Sequence, residues 1–409
     1  MENMKIVLVG HVDHGKSTLI GRLFFDTGSL PPDKMEELKK ISKEQGKEVE
    51  FSFLIDHLQE ERDQAVTIDT AQTFFRTDKR SYTIIDAPGH KEFMKNMITG
   101  ASQAETSLLI VDAKEGIQEQ TKRHAYILSM FNLKRNIVVI NKMDLVKYKE
   151  KRFNKIKEQV KELLADRGIN PSCIIPASAK LGDNFAEPSD KLKWHEGPTV
   201  LEALDSLEKE ELNTFLPFRM PVQDVYSING KTIIAGRIEA GAVKEGDTVL
   251  LLPDGTKLTV DTIEEFETSI TSASAGESIG LTFREDRDII RGNMLSDPDD
   301  LPVSSEKIRA NLFWMSPRPL ACSEEITFRC TTQEMSCRIG SVFKRIDSST
   351  LEILEKDADT LCEHEVGEIE IELTSQAVIE DFNHIPELGR FVLERDDNIV
   401  AGGIITLDN

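Results

Sequence analysis

Residues 10–17 read Gly10-His11-Val12-Asp13-His14-Gly15-Lys16-Ser17, the pattern G-x-x-x-x-G-K-[ST], followed by Thr18. No other stretch constrains the fold as tightly. The pattern follows the apolar run 6–10 and opens a stretch, 16–27, with helical character. Consecutive backbone N–H groups in such a loop form a nest around a β-phosphate, and the helix N-terminus adds its positive dipole end. Lys16 is placed to reach the β- and γ-phosphates, and the Ser17 hydroxyl to ligate Mg²⁺. A loop of this kind needs a strand before it and a helix after it, as in an open α/β sheet.

The rest of the first half carries the same alternation. Residues 83–86, 107–112, 136–141 and 173–177 are short apolar runs suited to buried parallel strands. Residues 92–104, 119–131 and 153–164 lie between them as helices. In the last of these, Phe153, Ile156, Val160, Leu163 and Leu164 form one apolar face. Lys155, Lys157 and Lys161 point elsewhere, as a solvated face. After Pro217 the period changes. Residues 249–260 read strand, Asp254-Gly255 turn, strand, and turn signals recur at Gly276, Gly280, Gly292 and Pro298. A second break falls at the acidic, proline-containing segment 297–302. The expected architecture is an α/β P-loop domain (1–212) followed by two all-β barrel domains (213–302 and 303–409).

Two further motifs follow the loop in chain order. Asn141-Lys142-Met143-Asp144 ends the run 136–141, at the edge where open α/β sheets bind ligands. A carboxylate at Asp144 can accept from both guanine N1–H and its 2-amino group, whereas adenine would leave it unpaired. Ser178-Ala179-Lys180 ends the last run and can offer backbone contacts to the guanine oxygen. Asp86-Ala87-Pro88-Gly89-His90 ends the run 83–86. Asp86 is positioned to hold Mg²⁺ through water, and the Gly89 N–H to bind a γ-phosphate. His90 then stands within reach of the attacking water. Upstream, the Thr67 hydroxyl can complete the Mg²⁺ shell and release it when the γ-phosphate leaves. Lys16, Thr67 and His90 are therefore the candidate catalytic residues, and Ser17, Thr67 and Asp86 the candidate metal ligands. Gly230-Lys231-Thr232 is a decoy, because the glycine needed five positions earlier is Val225.

In this order the motifs resemble the translation-factor superfamily of GTPases. The phosphate loop, Asp86–His90 and the two β-domains look like elongation factor Tu and its archaeal and eukaryotic counterparts. Shorter stretches resemble the GTPase large subunit of heterodimeric ATP sulfurylase (sulfate adenylyltransferase subunit 1). These are Leu58-Gln59-Glu60-Glu61-Arg62, the run from Glu119 to Tyr126, Gly182-Asp183-Asn184, Trp194 with Gly197-Pro198-Thr199, and Trp314-Met315 with Pro319-Leu320. Ala65-Val66 depart from the Gly-Ile usual before the switch threonine. His14 stands where sulfurylase subunits often carry an acidic residue.

The sulfurylase resemblance implies a GTP-hydrolysing regulatory subunit that binds a separate sulfate adenylyltransferase catalytic subunit as a heterodimer. That partner would convert ATP and sulfate to adenylyl sulfate and pyrophosphate. The alternative is an elongation-factor-like GTPase that delivers aminoacyl-tRNA to the ribosome. A third reading, a non-hydrolysing scaffold, sits poorly with the full set of Lys16, Thr67 and His90. The ligands implied are GTP or GDP with Mg²⁺. Whether Asp13 also holds a monovalent cation, as in related GTPases, is not settled by these residues. A net charge of −22 opposes bulk attraction to nucleic acid, and DNA is not expected as a partner. Cys173, Cys322, Cys330, Cys337 and Cys362 are odd in number and lack C-x-x-C spacing, so idle thiols are expected. With no apolar run long enough for a membrane span and no signal-peptide core, a soluble cytoplasmic protein is expected.

Overall fold

A computed structural model describes residues 3–30, 72–86, 104–130, 133, 135–208, 214–228, 230–265, 268–322 and 324–407. The chain divides into two compact units, Met1–Lys209 and Glu210–Asn409. The first is built on a six-stranded sheet of β1 (Asn3–Gly10), β2 (Gln72–Arg76), β3 (Ser81–Asp86), β4 (Thr106–Asp112), β5 (Asn136–Asn141) and β6 (Cys173–Pro176). The strand order is 2-3-1-4-5-6, all parallel except β2. β4 and β5 are buried along their whole length, as strands with cover on both faces must be.

The covers are four helices among the described residues: α1 (Lys16–Asp26), α2 (Glu119–Met130), α3 (Glu150–Ala165) and α4 (Val200–Asp205). Alternate residues of β1 serve the two faces. Met4, Ile6 and Leu8 join Leu19, Ile20 and Leu23 of α1 and Val200, Ala203 and Leu204 of α4 in one core. On the other face α2 packs on β1 and α3 on β5. The residues that α3 buries are the five read from its periodicity. Its entry is not capped by a side chain, whereas α4 opens with a capping box between Thr199 and Glu202. The helix expected at 92–104 lies almost wholly outside the described residues.

Strand register sets the ligand edge. Leu8 pairs with Asp86, Gly10 with Ile110, Asp112 with Asn141, and Ile140 with Pro176. The C-terminal ends of β1, β3, β4, β5 and β6 therefore align. Strand order reverses at β1, because its neighbours β3 and β4 lie on opposite sides. That is the topological switch point at which such sheets take ligands.

The second unit holds two closed antiparallel barrels. Strands in 219–296 close where Thr248–Leu252 pairs with Thr256–Glu265, the hairpin read from Asp254-Gly255. Strands in 303–405 close where Glu325–Cys330 pairs with Gln333–Asp347. The Gly230-Lys231-Thr232 decoy is a strand turn, with Ile228 opposite Lys231 and Gly230 at φ 79°. Ala240, Leu252 and Met294 of the first barrel meet Val378, Ile385 and Leu388 of the second in a small shared core. All five cysteines are free thiols, and burial pushes those of Cys330 and Cys337 up to about 12.

Candidate functional site

The loop between β1 and α1 has the backbone its sequence demands. Asp13 and Gly15 take left-handed conformations (φ 62° and 96°), and Gly15 caps α1 with its carbonyl accepting from Leu19 N–H at 2.9 Å. Gly15 is required twice over. Its φ favours glycine, and a Cβ there would stand 2.6 Å from the Asn141 amide nitrogen. Lys16 Nζ donates to the Gly10 and His11 carbonyls at 2.7 and 3.0 Å, which holds the ammonium over the loop. Ser17 and Thr18 stand in the first turn of α1 behind it.

One side chain from α2 and two buried histidines surround it. Gln120 Oε1 accepts from Val12 N–H at 3.1 Å. His14, fully buried, has Nδ1 3.2 Å from the Ile110 carbonyl and Nε2 3.4 Å from Glu115. Burial lowers its pKa, only partly offset by the Ile110 carbonyl and by Asp112 and Glu115. His124 on α2 is also buried, and desolvation together with the nearby charge of Lys16 holds it well below its ordinary value. Burial thus disfavours the charged form of both imidazoles.

Asn141, Lys142 and Asp144 divide their work. Asn141 is buried, and its amide donates to the His14 carbonyl at 2.9 Å while its oxygen accepts from Ala179 N–H at 3.0 Å. It thereby ties the phosphate loop to the 178–180 loop. Lys142, left-handed at φ 60°, pairs with Asp112 at 2.8 Å and also donates to the Asp13 carbonyl. Burial works against ionising Asp112, but Lys142 and the Lys114 and Glu115 N–H groups outweigh it and lower its pKa. Asp144 follows Met143, which is fully buried, and one carboxylate oxygen accepts from the Ser178 hydroxyl at 2.7 Å. Among the described residues its second oxygen has no partner, so it is open to a donor. Lys180 is exposed beside Ala179.

Gly10–Thr18, Asn141–Asp144 and Ser178–Lys180 thus converge on one edge of the sheet. Asp86 reaches the same edge by strand register. Thr67, Ala87, Pro88, Gly89 and His90 lie outside the described residues. The donors assigned to Mg²⁺ (Ser17, Asp86 and Thr67) are all oxygen, the chemistry that ion requires. Sequence reading gave Asn141 and Lys142 no structural task. It also gave no role to Asp112, and it quoted Gln120 and His124 only within a family stretch. These residues act through contacts distant in sequence, such as the 127-residue separation between Asn141 and His14.

The family model for the Elongation factor Tu GTP binding domain matches residues 1–210. Elongation factor Tu domain 2 matches 231–296, and the GTP-eEF1A C-terminal domain-like family matches 307–406. A protein named Elongation factor 1-alpha from Methanoculleus marisnigri is 39% identical over 409 residues, covering 98% of this chain and 96% of the relative. Relatives of the same name from Methanocaldococcus jannaschii and Methanopyrus kandleri are 38% and 40% identical, each over 98% of this chain and 96% and 97% of their own. Solved structures of sup35 with GMPPNP and with GDP align at 25% and 26% identity, each with a TM-score of 0.47.

These relatives overturn the sulfurylase reading, and with it the expected sulfate adenylyltransferase catalytic partner. The structure shows why the short stretches misled. Gln120 braces the phosphate loop through Val12, His124 is buried in α2, and Asp183 gathers hydrogen bonds from Tyr148 and Ser189. Trp194 donates to the Tyr148 carbonyl at 3.1 Å, and Trp314 is fully buried with its indole N–H on the Arg318 carbonyl at 3.1 Å. In this chain those side chains make framework contacts, and a framework contact does not name a partner; Leu58–Arg62 lies outside the described residues. GTP or GDP with Mg²⁺ are the ligands general to GTPases of this kind. From nucleotide domain to second barrel, the chain belongs to the elongation factor Tu/elongation factor 1-alpha family of GTPases.

Proposed function

We propose that this protein is a cytoplasmic elongation-factor GTPase that carries aminoacyl-tRNA to the ribosome in its GTP state and releases it after hydrolysis. The observation that carries this reading is the likeness to Elongation factor 1-alpha across 98% of the chain, both barrels included. In this reading residues 1–212 form the nucleotide domain, and 213–302 and 303–409 the two barrels that would hold the tRNA. Residues 10–18 and 86–90 bind the phosphates, and 141–144 with 178–180 bind guanine. Ser17, Thr67 and Asp86 would hold Mg²⁺, which would supply charge neutralisation for the phosphates. Lys16 stabilises the transferring phosphoryl group, and His90 orients the water that attacks it in line.

Two measurements test this. Aminoacyl-tRNA should be retained with a non-hydrolysable GTP analogue and lost with GDP. Because the net charge is −22, attraction to RNA has to come from local basic groups, and the slope of log affinity against log salt counts the phosphates they neutralise. Equal retention in both nucleotide states, or of uncharged tRNA, would sink the reading. Separately, His90→Ala should keep GTP affinity while ribosome-stimulated hydrolysis falls by about 10²-fold or more, the loss expected when a reacting group is misplaced by about an ångström. Turnover within a few-fold of the parent would make His90 structural.

A further inference from the structure

A second hydrogen-bond network lies just outside the base loops, and the roles given above leave it unused. After the tight turn Met143–Val146, Lys147 and Tyr148 both take left-handed backbone conformations (φ 54° and 53°). Residues other than glycine hold such conformations only where their surroundings over-determine them. Here the Tyr148 carbonyl accepts from the Trp194 indole at 3.1 Å, and the Tyr148 hydroxyl donates to Asp183 Oδ2 at 2.5 Å.

Asp183 is the hub. Its carboxylate also accepts from the Ser189 hydroxyl at 2.6 Å and from Lys191 Nζ at 3.0 Å, and that ammonium lies 5.1 Å from the centre of the Tyr148 ring. Partial burial opposes its ionisation, but the donors from Ser189, Tyr148 and Lys191 outweigh this and hold the carboxyl below its ordinary range. The Asp183 backbone carbonyl accepts from Ser178 N–H at 3.0 Å. Ser178 in turn holds Asp144 through its hydroxyl. Asp183 thus grips the 178–180 loop by its backbone and the 143–148 turn by its side chain. Asp144 sits between the two grips.

We propose that Asp183, with Tyr148 and Lys191 as its partners, is the positioning residue that sets the spacing of the two base loops, and through them guanine selectivity and nucleotide dwell time. The inference rests on the guanine pocket proposed above. Asp144 can receive N1–H and the 2-amino group together only if its carboxylate plane is fixed. A hydrogen bond to an ionised carboxylate is strong enough to fix the loop that carries it.

Tyr148→Phe removes one hydroxyl and keeps the ring. It should speed GDP dissociation about tenfold, the loss expected for one hydrogen bond to a charged group. The preference for GTP over ITP, which lacks the 2-amino group, should narrow by a similar factor. KM should rise while kcat changes far less, and Asp183→Asn should do the same more strongly. If both variants stay within twofold of the parent in dissociation rate and GTP:ITP ratio, the network only braces the fold and the inference fails, whatever the melting temperature does. Should Asp183→Asn not fold, Tyr148→Phe decides alone. Asp144→Asn, measured in parallel, separates the failures. Retention of GTP preference over XTP there removes the pocket and the inference together. A switch to XTP beside an unaffected Tyr148→Phe removes the inference only.

Discussion

Asp144→Asn is expected to convert the protein from a GTP-selective to an XTP-selective enzyme. In the parent, one oxygen of Asp144 is held by the Ser178 hydroxyl at 2.7 Å, and in the proposed pocket the carboxylate would accept from the donors of guanine. Asparagine keeps the shape but turns one acceptor into a donor. That donor opposes the guanine 2-amino group and matches the carbonyl that xanthine carries at the same position. Sites built to hydrogen-bond a polar substrate group reject the mismatched analogue by roughly 10⁴, and a swing of that order in the GTP:XTP ratio of kcat/KM is expected. Competition between the two nucleotides in single-turnover hydrolysis measures it directly. A variant that still prefers GTP would show that guanine is read elsewhere.

The α/β half was legible because its strands are short apolar runs separated by amphipathic helices. The run at 107–112 is β4 at Thr106–Asp112, and 136–141 coincides with β5. β2 was not legible. It is an edge strand of five residues in which Phe75 is buried and its neighbour Phe74 is 62% exposed, so no apolar run announces it. At the site, the phosphate and base motifs could be read because each is contiguous. What joins them could not be, since Asn141, Gln120 and Asp112 act on partners far away in the chain. The subfamily was misread for a related physical reason. Short stretches resemble one subfamily, whereas the side chains in them make contacts within this chain's own frame and name no partner.

The segment 297–302 is the other place where sequence and structure part. It reads as an acidic linker, yet the half-exposed Asp300 closes one side of a charge cluster around the buried Arg219. Arg219, fully buried at the start of the first barrel, donates to Asp300 Oδ1 at 2.7 Å, to the Asp300 carbonyl at 2.9 Å and to Glu380 Oε1 of the second barrel at 2.8 Å. The Ser296 hydroxyl and the Phe218 carbonyl take what remains of the guanidinium, at 3.2 and 3.1 Å. Its acceptors Asp300 and Glu380 lie 81 and 161 residues away, so no local pattern could reveal them. Arg219→Ala should cost about 3–5 kcal/mol in the second unit, because it takes the guanidinium from the buried Glu380 carboxylate, whose other oxygen keeps only a contact with His384 Nδ1 at 3.2 Å. Arg219→Lys should recover little, since an ammonium has three donors and no planar fork. Arg219→Met combined with Glu380→Gln should recover more, by removing the stranded charge. Urea titration followed by Trp314 emission in a Trp194→Phe background reads the second unit alone. A midpoint shift equivalent to less than about 1 kcal/mol for Arg219→Ala, the value of an exposed pair, would show that the cluster is solvated in solution and does not join the barrels.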